Sequence, residues 1–184
     1  MDGPAFDPTG AIRFDLRRGA ASDASDRRLL VVPAAAIDAL ERTHPEAVAS
    51  LGSEIGRGCG SNVAARLGGA DKVRGAGLEA VLSQLAGELA IAGVGAVHIE
   101  RWGRAMVCVV GGPSVANETF LSALLGSALG AAAGREVACA PIGREGGAHH
   151  FFVGSDRATE RARALAIQGK TMPEIVAELQ RGTS

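Results

Sequence analysis

The chain has 184 residues, 47% of them apolar, which is enough for one domain of ordinary size with a real core and no need of covalent staples. A net charge of -1 and a pI near 6.4 exclude a sequence-independent nucleic-acid or membrane footprint, and the nearest basic cluster, Arg17-Arg18, is short. Tyrosine is absent and tryptophan occurs once, so the aromatic platforms of a single-strand nucleic-acid binder are missing.

The N-terminus, Met1-Asp2-Gly3-Pro4, lacks a basic region followed by an apolar run, so no secretory signal is expected. No stretch is long and apolar enough to span a membrane. Cys59, Cys108 and Cys139 cannot all pair within one chain, and none has CxxC spacing. A reduced, cytoplasmic compartment follows.

In chain order, Ala11 to Leu16 alternates apolar and polar residues and predicts a half-buried strand. Arg17 to Asp26 reads as a polar connector. Leu29-Leu30-Val31-Val32 predicts a short apolar strand ended by Pro33, followed by a helix from Ala34 to Arg42. Pro45 starts a helix over Glu46 to Leu67, and a further helix runs from Gly77 to Ala92 with a stripe of Leu78, Leu82, Leu85 and Leu89.

The next unit reads as hairpin, helix, hairpin. Val97, Ile99, Met106 and Cys108 share one face of a hairpin turning at Trp102-Gly103. A helix from Asn117 to Ala133 carries Phe120, Leu121, Leu124, Leu125 and Leu129, with Asn117 as its N-cap and Gly134 as its stop. The second hairpin joins Glu136 to Cys139 with His150 to Val153 through Gly143 to Gly147. A polar-rich helix over Asp156 to Ile167 ends at Gly169, and Thr171-Met172-Pro173-Glu174 is a capping box for a last helix through Leu179. This tail superficially resembles the start of a helix-turn-helix, but the chain stops before a recognition helix, so DNA reading by that route is not expected.

The oddest feature is the recurrence of Gly52, Gly56 and Gly60 at every fourth residue of one helix, continued by Ala64. Each interior glycine costs roughly 0.5–1 kcal/mol against alanine, so a compensating close approach is required. Its partner is another element of the same subunit, a second subunit, or a ligand whose channel the glycines floor. Val48, Leu51, Ile55, Cys59 and Val63 form an ordinary core stripe on the same helix.

The residues able to carry chemistry are few. His149-His150 lie on a strand, where adjacent side chains point to opposite faces and cannot share one ion without a kink. A metal site would need Cys139 or His98 as further ligands. Cys59, between Gly58 and Gly60, reads as a small buried residue or as a sulfur exposed to a ligand or acyl chain, and Cys108 reads as core. Gly111-Gly112-Pro113-Ser114 precedes a helix, but neither GxxxxGK[ST] nor GxGxxG occurs. Arg101 and Arg104 flank Trp102 and form a possible contact patch.

The order of elements resembles the 4-vinyl reductase domain, related to small TRAPP vesicle-tethering subunits and to haem-NO-binding-like folds. The matching residues are Gly10-Ala11-Ile12, Leu30-Val31-Val32-Pro33, Leu51-Gly52 through Gly60, Gly93-Val94-Gly95, Phe120-Leu121 through Gly126 and Gly130, then Phe151 and Val153. The resemblance implies an α/β (α+β) fold, an antiparallel sheet of hairpins with helices packed on one face, spanning residues 11–154. A tail (1–10) would precede it and a helical extension (155–184) would follow. It also implies a domain that binds small hydrophobic molecules or partner proteins, often as a dimer and often within regulatory proteins. Some members hold zinc with paired cysteines around the last hairpin. Here Pro141 and His149 stand at those positions, and proline cannot ligate through its side chain, so no metal is expected and Cys139 and His149 are the residual candidates. Reduction of a tetrapyrrole vinyl group finds no acid, cofactor motif or haem ligand in the sequence.

The leading expectation is a non-enzymatic regulatory module that binds a small hydrophobic ligand or a partner protein as a homodimer, with no cofactor, nucleic acid or membrane span. Its ligand cavity lies between the glycine helix and the sheet, lined by Gly56, Cys59, Gly60, Val63, Phe120 and Leu124. Its interface uses Gly52, Trp102 and Arg104. The alternatives are a ligand-free scaffold with a flat apolar patch, and an enzyme acting on a tetrapyrrole or aromatic compound in which His149, His150, Glu145 or His98 converge.

Overall fold

The computed structural model describes residues 6–24 and 26–181; parts of the expected N-terminal tail, polar connector and C-terminal extension (1–5, 25, 182–184) lie outside them. Seven helices and two antiparallel sheets occur among these residues. They are β1 (Ile12–Asp15), β2 (Ala20–Asp23), β3 (Arg28–Leu29), α1 (Ala34–Thr43), α2 (Pro45–Arg66), α3 (Ala70–Gly75), α4 (Leu78–Ile91), β4 (Ala96–Trp102), β5 (Ala105–Gly111), α5 (Glu118–Ala133), β6 (Ala138–Glu145), β7 (Ala148–Gly154), α6 (Asp156–Ile167) and α7 (Met172–Arg181). The fold is mixed α+β, as the hairpin-helix-hairpin pattern predicts.

The main sheet has the order β4-β5-β7-β6. Trp102 pairs with Ala105, leaving Gly103-Arg104 as the first turn. Glu145 pairs with Ala148, leaving Gly146 and Gly147, whose φ values of 56° and 80° meet the left-handed demand of a two-residue hairpin turn. Pro141 sits on the edge strand β6, where a missing N–H is tolerated, and the register shifts between it and Gly143.

Helices cover both faces of this sheet. Met106, Cys108, Val110, Phe151 and Val153 join the core beneath α2, α4 and α5, which is the expected helical face. Val107, Val109, Ala140, Ile142 and Phe152 form a second core with Ala162 and Leu165 of α6 and Ile175, Val176 and Leu179 of α7. The C-terminal extension therefore caps the sheet, which explains why β5 is buried almost continuously and does not alternate.

The N-terminal region differs from its predicted form. The polar connector contains β2, because Ala20 to Asp23 gains β1 and β3 as pairing partners that its composition does not announce. The apolar run ends as a strand at Leu29; Leu30, Val31 and Val32 have no strand partner and are exposed. The short helix α3 was not predicted. Its glycine-flanked six residues have no amphipathic period to reveal it.

The glycine stripe packs on a helix of the same chain and not on the sheet. A Cβ on Gly52 would lie 2.6 Å from the Phe120 carbonyl oxygen, one on Gly56 3.0 Å from the Leu124 Cα, and one on Gly60 2.8 Å from the Ala131 Cβ. On its other side α5 approaches the backbone that leads into β6, with a Gly126 Cβ 3.0 Å from the Val137 carbonyl oxygen. Asn117 caps α5 by accepting the Phe120 N–H at 2.6 Å, and Gly134 ends it at φ 62°.

Replacing Gly56 with alanine will cost about 3 kcal/mol or more, because the methyl group meets backbone that cannot rotate away. Gly58→Ala, whose Cβ meets nothing within 4 Å, will instead raise stability by up to about 1 kcal/mol. Urea denaturation of the two variants measures both signs.

Candidate apolar pocket and adjoining cleft

Two hollows flank α5. The smaller, about 50 Å³, is walled by Ile37 of α1, Ile55 of α2, Ala92-Gly93-Val94 after α4, Val115, and Phe120, Leu121 and Leu124 of α5. Its lining is apolar apart from backbone. The larger is an open cleft of about 900 Å³ on the flank of α5 that faces β6 and α6, with Ser53, Glu118, Ser122, Cys139 and Arg163 among its walls. The buried Ser122 hydroxyl has no hydrogen-bond partner among the described residues. Arg163 donates to the Cys139 carbonyl at 3.0 Å, tying α6 to β6.

Of the six expected ligand residues, only Phe120 and Leu124 line the small pocket. Gly56 and Gly60 are consumed by the backbone of α5, and Val63 is fully buried in the core. Cys59 faces α4, with its sulfur 4.0 Å from the Glu88 carbonyl oxygen. Between the glycine helix and the sheet lies α5, which packs against α2 on one side and β6 on the other. Ile37, Ile55, Val94, Val115 and Leu121 were missed, since an apolar pocket wall has the same residue types as a core.

The expected interface residues are likewise dispersed. Gly52 is buried against Phe120, so it serves contact within the chain and not a subunit seam. Trp102 is half-buried beside the second core; its Nε1 donates to Glu100 at 2.8 Å and its carbonyl accepts from Gln180 of α7 at 2.5 Å. Arg104 is exposed in the turn.

His149 and His150 are both buried and point to opposite faces. The His149 ring stacks on Phe151 with centroids 6.4 Å apart, and its Nδ1 is 3.8 Å from Glu118 Oε1, an atom that also accepts from Arg144 at 2.8 Å. The His150 ring lies 6.0 Å from that of Trp102. Cys139 pairs with Val153, four residues from His149, which is about 13 Å along a strand, too far to share one ion. His98 is exposed and bonds Glu100 at 3.2 Å, and Glu145 is exposed at the end of β6. The groups required by the enzymatic alternative are not brought together.

Burial suppresses thiolate chemistry. The Cys59 thiol is pushed up to about 11 by burial and then by the Glu88 charge, Cys108 to about 12 by burial, and Cys139 well above its ordinary value. Burial lowers the His149 pKa, with the Arg144 charge adding to the effect and Glu118 opposing it.

A polar relay ties the small N-terminal sheet to this body. Asp23 pairs with Arg27 at 2.6 Å, Arg27 donates to Asn62 of α2, and Asn62 donates to the buried Glu88 of α4 at 2.8 Å. Arg66 holds the other Glu88 oxygen at 2.5 Å, which compensates a carboxylate that burial alone would penalise.

Among solved structures, the chain is similar to the phenol-responsive sensory domain of the transcription activator PoxR, determined with phenol. The TM-score is 0.60 at 15% identity, covering 87% of this chain and 92% of that one. The chain thus has an α+β fold of the kind that sensory domain has. No protein-family model matches it, and no curated protein matches it in sequence. Among the described residues, no helix is long and apolar enough to cross a membrane.

Two measurements follow from these environments. In the folded chain at pH 8, iodoacetamide will leave Cys59, Cys108 and Cys139 unmodified, and all three will react once the chain is unfolded. Because the folded state lowers the His149 pKa, the unfolded chain binds more protons as the pH drops through about 6.5. Stability will therefore fall with acidification below that value, and His149→Gln will flatten this slope in denaturation curves collected from pH 8 to pH 5.

Proposed function

We propose that this chain is a non-enzymatic regulatory module of the 4-vinyl-reductase type, acting as a cytoplasmic homodimer that responds to a small hydrophobic molecule. The observation that carries the reading is the apolar pocket where α1, α2, α5 and the segment before β4 meet. A pocket without convergent acids, bases or thiolates suits recognition by shape and transfer from water, not bond making. The fold likeness to a phenol-responsive sensory domain supports the same direction.

The pocket of about 50 Å³ is smaller than the roughly 150 Å³ apolar cavity that holds benzene. A ligand of aromatic size enters when one wall retreats, and α1 is the wall suited to this. It has no buried residue, and it leans on the core through Ala34, Ile37 and Leu40. Ligand entry and displacement of α1 are then one event, which gives occupancy a conformational readout.

Phenol and its small alkyl derivatives are the probes. A compound at about 100 times its dissociation constant will stabilise the chain by about 2.7 kcal/mol in thermal denaturation. Val115→Phe, which fills the pocket, will remove that gain without altering the far-ultraviolet circular dichroism. A gain that persists in Val115→Phe refutes this pocket, and the absence of any gain across the series, with no small molecule retained in native mass spectra of protein from its source, refutes the ligand reading.

A further inference from the structure

The cleft between α5, β6 and α6 carries features that the apolar pocket lacks. Its floor is the face of α5 that holds Ser122, Ala123 and Ser127, whose small side chains leave room, and Ile167 of α6 gives it an apolar wall. At about 900 Å³ it has the size of a small-molecule site.

Room alone does not make a site, but two polar groups in this cleft are incompletely used. Ser122 lines the floor at 6% exposure, and its hydroxyl has no hydrogen-bond partner among the described residues, an unfavourable state for a buried donor. Arg163 is the second. Its guanidinium donates to the Cys139 carbonyl at 3.0 Å, which fixes it at the cleft wall, and no carboxylate pairs with it among the described residues. The other charged lining residue, Glu118, is neutralised by Arg144 at 2.8 Å and stands eight residues before Gly126, about 12 Å along the helix. The Arg163 end of the cleft is therefore positive.

The spacing of these groups sets the ligand. A Cβ on Gly126 would lie 3.5 Å from the Cys139 amide nitrogen, so Arg163, bound to the carbonyl of that residue, stands near the level of Gly126. Ser122 lies one helical turn away. A gap on the order of 10 Å then separates guanidinium from hydroxyl, which one aromatic ring bridges with a hydrogen bond of about 2.9 Å at each end.

We propose that this cleft is a second ligand site, which takes a small aromatic hydroxycarboxylate. The carboxylate meets the Arg163 guanidinium in a charge-assisted pair, the ring lies along α5 against Ala123, and the distal hydroxyl bonds Ser122, whose side chain turns about χ1 to meet it. The inference goes beyond the proposed function, because it concerns a different hollow and an anionic ligand, and it stands even if the α1 pocket takes no ligand.

Titration calorimetry on the full chain tests it with para-hydroxybenzoate as the probe. The acid will bind, and para-hydroxybenzamide, which is neutral, will bind at least about 10-fold more weakly. Arg163→Gln will abolish the difference between acid and amide, and Ser122→Ala the difference between para-hydroxybenzoate and benzoate, both with unchanged circular dichroism. In amide NMR spectra of the wild type, the shifts on adding the acid will centre on Ala123, Ser127 and Gly143 and leave Val94 and Val115 unmoved. Shifts centred on Val94 and Val115 assign the acid to the α1 pocket and overturn the cleft site, as does the absence of binding at about 10 mM acid. A preference for acid over amide that survives Arg163→Gln, or for the hydroxylated acid that survives Ser122→Ala, overturns the assigned contacts.

Discussion

The structure depends on the backbone-to-backbone approach of α2 and α5. Without Cβ atoms at Gly52, Gly56 and Gly60, the carbonyls of Phe120, Leu124 and Ala128 come within van der Waals reach of the opposing helix, and α5 sinks between α2 and the sheet. The helix cost of three glycines is offset by the dispersion contacts and apolar burial along nearly the whole of α5. Nine of its residues are buried, and both of its long flanks are pressed against protein backbone. This placement puts α5 in the gap between α2 and the sheet, with one opening at the N-terminal end of α5 and another along its β6 flank.

That arrangement separates the apolar pocket from the titratable groups. At the pocket, the side chains of Phe120, Leu121 and Leu124 converge with α1 and the segment before β4, all apolar. The titratable groups sit elsewhere: His149 and His150 divide between the two faces of β7, Glu118 engages Arg144, and Glu88 is spent on holding Asn62 and Arg66. Among the described residues, the buried side-chain atoms without a hydrogen-bond partner are Ser122 Oγ, the Nδ1 atoms of His149 and His150, and Glu88 Oε1, the last of which faces Arg66 as an ion pair.

Local signals in the sequence carried much of this fold. Asn117 and Gly134 bound α5, Gly146-Gly147 turns the second hairpin, and Thr171 with Glu174 forms the expected capping box, the Thr171 N–H donating to Glu174 at 2.8 Å. These are short-range rules that neighbours cannot easily override. The spacing of Gly52, Gly56 and Gly60 announced a close approach, but only tertiary structure names the partner. What was illegible depends on distant pairing: β2 is polar by composition, and Leu30 to Val32 have strand propensity but no ladder to join. Of the expected ligand residues Phe120 and Leu124 line a hollow and the other four do not, because a leucine beside a void and a leucine beside another leucine have the same sequence pattern.

The two-sided burial of the main sheet has a practical corollary for anyone who would transplant this module. A piece cut after Gly154 retains every strand, yet it bares Val107, Val109, Ile142 and Phe152 as one greasy slab where Ile175, Val176 and Leu179 had rested. Such a slab invites clumping. The portable unit is set by where the last leucine of α7 lands, and not by where the last strand ends.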